Sequence, residues 1–267
     1  MLIIGEKINA SRKPVAEALG RRDTAFITGL AKQQVEAGAD YIDLNVATGS
    51  GSAEEEVLIM EWAVETLQAS LETPLTLDSS NPKVIAAGLR KHKNGVPMIN
   101  SVSAEPEKME SLLPLAKEFD ALIVALAMGK EGIPADDEGR LQACRQVHTR
   151  AQALGIQPGK LYYDPLVLSI ATDTRQGELS LKTISRIKAE LPGAMTTMGL
   201  SNVSFGLPER SLLNRVFLAM AITFGLDSAI IDPTDRELMQ ILTAAQALIG
   251  KDPYCKNYIK AYRKSRK

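Results

Sequence analysis

What most constrains this chain is a repeated alternation of short apolar runs with longer stretches of helical periodicity. The runs "LIIGEKI", "YIDLNVA", "PLTLDS", "VPMINSVS", "ALIVALAM", "KLYYDPLVL", "AMTTMGL" and "SAIIDP" read as strands. Between them, stretches such as "AFITGLAKQQVEAG", "AEEEVLIMEWAVETLQAS", "PKVIAAGLRKHKNG" and "RLQACRQVHTRAQALG" repeat their apolar residues every three or four positions. Several strands are apolar on both faces, which suits a parallel sheet covered by helices. Gly38, Gly95 and Gly155 stand where helix C-caps belong, and Asn81–Pro82 and Asp232–Pro233 suit helix starts. About eight β-then-α units can be counted, the number that closes a (β/α)8 TIM barrel of about 250 residues. A doubly wound open sheet is the main competitor, but no glycine-rich dinucleotide turn follows the first run. No linker divides the chain. Residues 1–267 are expected to form one α/β barrel domain ending in a basic tail from about 256 to 267.

Composition narrows the functions. With 267 residues, 45% of them hydrophobic, the chain can bury a large core, and its formal charge of -1 offers no field for nucleic acid or an anionic membrane. The two cysteines, Cys144 and Cys255, and the two histidines, His92 and His148, are too few and too scattered for a metal site. Both histidines read as solvated surface. The start "MLIIGEKINA" lacks the pattern of a signal peptide, and no run approaches the roughly 18 apolar residues of a membrane span. A soluble, cytoplasmic protein without a metal of its own is expected.

In such a barrel, chemistry gathers at the C-terminal ends of the strands. Those ends carry Glu6, Lys7 and Asn9, then Asp43 and Asn45, then Asp78, Ser79 and Ser80, then Asn100 and Ser101. Later strands add Asp164, then Ser201 and Asn202, then Asp232; the fifth offers little beyond Met128 and Lys130. Any one of these can be a cap or turn residue, and Ser80, Asn81 and Asp232 are assigned that role. Asp43 and Asn45 lie inside an apolar strand, where a polar group needs partners or a ligand. Carboxylates take adjacent N–H donors and an amide both gives and accepts, so together they suit a neutral heterocycle with alternating donors and acceptors. A 2-amino-4-oxo pyrimidine, as in a pterin, fits this set better than phosphate or a sugar.

The motifs "GEKINA", "DLNVATG", "LTLDSSNP", "MINSVSAE", "YYDPL" and "GLSNVSFGLPERSLLNR" resemble the pterin-binding methyltransferase family, from Leu2 to about Cys255. That family includes the methyltetrahydrofolate:corrinoid/iron-sulfur protein methyltransferases and the folate domain of cobalamin-dependent methionine synthase. The resemblance implies a dihydropteroate-synthase-like barrel, a homodimer, that binds tetrahydrofolate or 5-methyltetrahydrofolate while a corrinoid protein partner supplies cobalamin. By that resemblance Asp78, Asn100 and Asp164 hold the pyrimidine edge, Gly199 and Ser201 line the cleft, and Arg210 lies near the folate. Asn202 faces N5 and is the catalytic candidate; Glu6 and Asp43 are secondary candidates for the floor of the site. One departure is Phe205, where relatives can carry a glutamine; it bears on hydrogen bonding to the folate and on the corrinoid partner.

The implied reaction is an SN2 transfer of methyl between N5 and cobalt, with the direction not written in the sequence. Asn202 has no useful pKa, so its part is to stabilise a proton at N5 in the transition state. A dihydropteroate synthase is the nearest rival, yet the Lys and Arg-x-His that its pattern places after strands seven and eight are missing from "GLSN" and "IIDPTD". A non-catalytic folate-binding protein stays open. The tail, with Tyr258 and Tyr262, is either a solvated terminal helix or a docking helix for an acidic corrinoid protein.

Overall fold

The structure, a computed structural model, describes residues 1–47 and 52–265. Thr48 and Gly49 of the "DLNVATG" motif and the last two residues of the basic tail lie outside the described residues. Among those described, eight strands are all parallel: β1 Leu2–Asn9, β2 Tyr41–Asn45, β3 Leu75–Asp78, β4 Met98–Val102, β5 Leu122–Leu126, β6 Leu161–Asp164, β7 Met195–Thr196 and β8 Ser228–Ile231. Each pairs with its sequence neighbours from β1 to β7, and β8 returns to β1. The ring closes where Gly199 bridges Ile230 in parallel and the Ile230 N–H donates to the Met198 carbonyl at 2.9 Å. The expected (β/α)8 barrel is what forms.

The helices between strands are α1 Lys13–Gly20 and α2 Thr24–Glu36, α3 Ala53–Gln68, α4 Pro82–Lys91, α5 Pro106–Glu118, α6 Asp137–Ala153, α7 Gln176–Glu190, α8 Arg210–Thr223 and α9 Arg236–Leu248; α10 Lys256–Ser265 follows. Local chemistry sets several starts. The Ser52 Oγ caps α3 by accepting from the Glu55 N–H at 3.2 Å, and three glutamates in its first turn suit the helix dipole. Asn81 caps α4 as expected, accepting from the Lys83 N–H at 3.0 Å. Asp232 does not cap a helix: Asp235 caps α9, and Asp232 closes a turn on Thr234 and pairs with Lys7 at 3.1 Å. Gly38 and Gly155 follow α2 and α6 with positive φ, whereas Gly95 turns the chain ahead of β4.

The alternation of side chains along a strand explains where the polar residues go. Ile42, Leu44, Leu75, Leu77, Ile99 and Tyr163 face the helices and join the outer core. Their neighbours Ile4, Tyr41, Met98, Val124 and Tyr162 fill the inside of the barrel. Two residues further along the same inner face stand Asp43, Asn100 and Asp164. The interior is therefore apolar at its base and polar at its mouth.

The two histidines are not solvated. His148 is buried, its Nδ1 3.1 Å from the Tyr163 hydroxyl, and His92 accepts the Leu75 N–H at 3.2 Å. Burial holds the His92 pKa down at about 4, so it remains neutral and works as a helix-to-strand tie. The sequence context of charged neighbours concealed that each imidazole points inward.

Candidate active site

Strand register assembles the first half of the mouth. Asn45 lies opposite Asp78, and Asp78 opposite Asn100. The Asn45 Nδ2 donates to Asp78 Oδ2 at 2.8 Å, and the Asn100 Nδ2 donates to Asp43 Oδ1 at 3.3 Å. Asp43 is only 3% exposed. Burial pushes its carboxyl well above the ordinary range, the neighbouring Asp78 and Glu6 charges add to this, and the Asn100 bond opposes it. Burial likewise raises Asp78, against the hydrogen bond from Asn45. Glu6 is raised by burial too, with Arg12 pulling it back and Asp232 pushing it up. Three carboxyl groups crowded on one side of the mouth thus each hold a proton more tightly than a free carboxyl does.

Glu6 reaches this cluster through a bulge in β1, whose register to β2 shifts between Gly5 and Ile8. The Lys7 N–H freed by the bulge donates to Gln34 Oε1 at 2.9 Å, from a fully buried α2 side chain. A Cβ on Gly5 would stand 2.5 Å from that same oxygen, so only glycine lets Gln34 approach.

The second half of the mouth is built from backbone. Asp164 is buried, and its Oδ1 accepts the Leu166 N–H at 2.7 Å while the Gly199 N–H also bonds it. Burial pushes this carboxyl up to about 6 against those two bonds and the Arg140 charge. Asn202 stands in a short 3-10 turn, Leu200–Ser204, with its Nδ2 3.3 Å from where a Gly199 Cβ would be. Arg210, at the start of α8, donates to the Ser201 carbonyl at 2.8 Å and to Ser204 Oγ at 3.1 Å, and lies over the Phe205 ring. Much of its hydrogen bonding is thus spent on holding the turn, and its charge reaches Glu6 across the mouth.

Comparison with known proteins gives the same direction. The model of the pterin binding enzyme family matches residues 5–232. The chain belongs to the pterin-binding enzyme family. It is 36% identical over its whole length to the methylcorrinoid:tetrahydrofolate methyltransferase of Eubacterium limosum, covering 97% of that protein. It is 34% identical over 86% of its length to the methionine synthase of Mycobacterium tuberculosis, matching 20% of that larger protein. Dihydropteroate synthase of Stenotrophomonas maltophilia superposes with a TM-score of 0.71 at 20% identity, and that of Xanthomonas albilineans with 0.70 at 22%, each over 92% of both chains. At such identities these two structures speak for the fold alone, and the fold agrees with the dihydropteroate-synthase-like barrel expected.

Within this family member, every sequence-derived site candidate lies at one end of the barrel. Sequence reasoning missed Gln34 and Arg140. Both were visible as polar residues at core spacing, Gln34 with Ile27 and Ala31, Arg140 with Cys144 and Val147. At the opposite end, a cleft of about 280 Å³ is lined by Tyr162, Met195, Asp227, Gln246 and Lys251, and its acid Asp227 is paired with Lys188 at 2.8 Å.

Proposed function

We propose that this chain is a methyltransferase that moves a methyl group between N5 of tetrahydrofolate and the cobalt of a corrinoid carried by a separate protein. The observation that carries the reading is the acid–amide rim described above. A pterin offers adjacent N–H donors and a carbonyl on its pyrimidine edge. Asp78 and Asp164 would take the donors, and Asn100, already donating to Asp43, keeps an acceptor oxygen for the same edge. Gly199 and Ser201 would bound the ring plane, with Glu6 and Asp43 beneath it. The full-length likeness to a methylcorrinoid:tetrahydrofolate methyltransferase supports both the reaction class and a direction toward the folate.

The cobalt and its methyl come in with the partner as substrate. On transfer to the folate, N5 attacks the methyl carbon in line, the carbon–cobalt electron pair stays with cobalt, and N5 gives up its proton. Asn202 acts as the positive charge develops at N5, its amide oxygen accepting the N5–H hydrogen bond in the transition state. Asp164, ionised when it takes a pyrimidine N–H, is not free to carry the N5 proton, which exchanges with solvent through water. In the reverse direction the same groups hold the proton that makes N5 a neutral leaving amine. The whole of 1–267 would act as one cytoplasmic enzyme of one-carbon metabolism. A homodimer would cover Leu212, Val216 and Met220, which form an exposed apolar row four residues apart on α8.

The test is spectroscopic. Anaerobic protein is mixed with methylcobalamin and tetrahydrofolate, or with cob(I)alamin and methyltetrahydrofolate, and interconversion is followed by absorbance. Folate binding without conversion, with free or protein-bound corrinoid, would leave a folate-binding scaffold instead. Absence of folate binding would sink the proposal.

A further inference from the structure

Arg140 sits in the first turn of α6 with no exposed surface. Two features make that position costly. A buried guanidinium gives up its hydration, and a cation in the first turn opposes the helix dipole. Its acceptors are all neutral: the Pro134 carbonyl at 3.2 Å, the Pro165 carbonyl at 2.8 Å, the Leu166 carbonyl at 3.0 Å and Gln176 Oε1 at 2.9 Å. Two of the four belong to the pair of residues directly after Asp164. Leu166 itself has φ of 61°, a left-handed backbone that a residue with a Cβ rarely adopts. Held from below by the guanidinium, its N–H turns up onto Asp164 Oδ1 at 2.7 Å. The carboxylate acting on Arg140 through space is Asp164, also buried.

We propose that Arg140 is a positioning residue for Asp164: it locks the Pro165–Leu166 backbone whose N–H orients the carboxylate, and its charge supports the ionised form. Cys144, also on α6, feels the Asp164 charge and is kept a neutral thiol by burial, while the charge acting on Asp164 is that of Arg140. The inference rests on the reading that Asp164 holds the pterin, and the experiment separates the two.

The readout is the carboxyl titration of Asp164, followed by NMR in protein labelled at aspartate Cγ and assigned with Asp164→Asn, beside folate affinity. Arg140→Gln is expected to raise the Asp164 midpoint by about one pH unit and to weaken folate binding at pH 7. Arg140→Lys, which keeps charge but not the fan of bonds, should recover most of the midpoint and little of the affinity. If Arg140→Gln does not fold, Arg140→Lys and Gln176→Ala give the same comparison in milder form. An unchanged Asp164 midpoint and affinity in the folded variants would overturn the inference. If Asp164→Asn binds folate as well as the wild type, the pterin reading of Asp164 fails, while the titration still decides the Arg140 link.

Discussion

The two halves of the barrel mouth are built on different principles. On the β1–β4 side, side chains hold one another: Asn45 on Asp78, Asn100 on Asp43, with register doing the placing. On the β6–β7 side, backbone and an exposed cation hold the polar groups: Leu166 and Gly199 on Asp164, Arg210 on the turn that carries Asn202. The first half crowds carboxyl groups that favour protons when no ligand is bound. The second presents one carboxyl already supplied with donors and one uncharged amide. Such a division suits a site in which both sides grip a ring, through Asp78 and Asp164, and only the second adds a group, Asn202, for a reacting nitrogen.

The sharpest way to break the comparison is to cut each half separately. Asn202→Ala should lower turnover by about a hundredfold, near 3 kcal/mol, with folate Kd changed by less than about threefold. Transient kinetics beside calorimetric titration checks this, and equal loss in both would make Asn202 a binding residue. Asp78→Ala should show the opposite pattern, weakening folate by about 10- to 100-fold through loss of a charge-assisted bond, with the rate at saturating folate much less affected.

A pH series sharpens the contrast. Because the Asp164 pKa is raised to about 6 in the folded chain, the folded apoprotein binds a proton more tightly than the unfolded chain there. Its contribution to stability is therefore present below the ordinary carboxylate range and fades as pH rises through about 6. A pterin that pairs with the ionised form reverses this, so folate affinity should improve by up to about tenfold per unit as pH approaches 6 and level off above. Calorimetry in buffers of different ionisation heat would register the released proton; affinity falling with pH would contradict the assignment. Asp43→Asn should give a smaller change. It keeps an acceptor for Asn100 while removing a buried acid, so thermal stability relative to wild type should rise as pH climbs above the usual carboxylate range. Smallest of all, Phe205→Gln should alter folate affinity by about 1 kcal/mol or less, since this ring is 68% exposed at the rim; any larger effect belongs in assays with the corrinoid partner.

Much of the first half was legible in the sequence. A polar residue at the end of an apolar strand, two positions beyond another inward residue, has its face decided by the period of two, as Tyr41–Asp43–Asn45 and Met98–Asn100 illustrate. The second half was legible only in part. Asn202 and Asp164 stood out, but β7 is two residues long and the turn after it is irregular, so no period says where a side chain points. Arg210 is placed near the folate by its motif, and the structure adds that it donates to Ser201 and Ser204. His148 and Arg140 lie among charged neighbours on one helix, and only the packing of α6 on β6 reveals them as buried.

By itself, the sequence determined the number of β–α units, the closure they imply and the kind of hydrogen bonding offered at the strand ends, because these follow from local periodicity and residue chemistry. The tertiary structure alone decided which carboxyl groups share a neighbourhood and which buried residues brace the backbone beside them, namely Gln34 under the β1 bulge and Arg140 under the β6 loop. Proton affinities in the pocket and the aim of its loops depend on desolvation and on contacts between residues distant in the chain, and neither quantity exists until the barrel has closed.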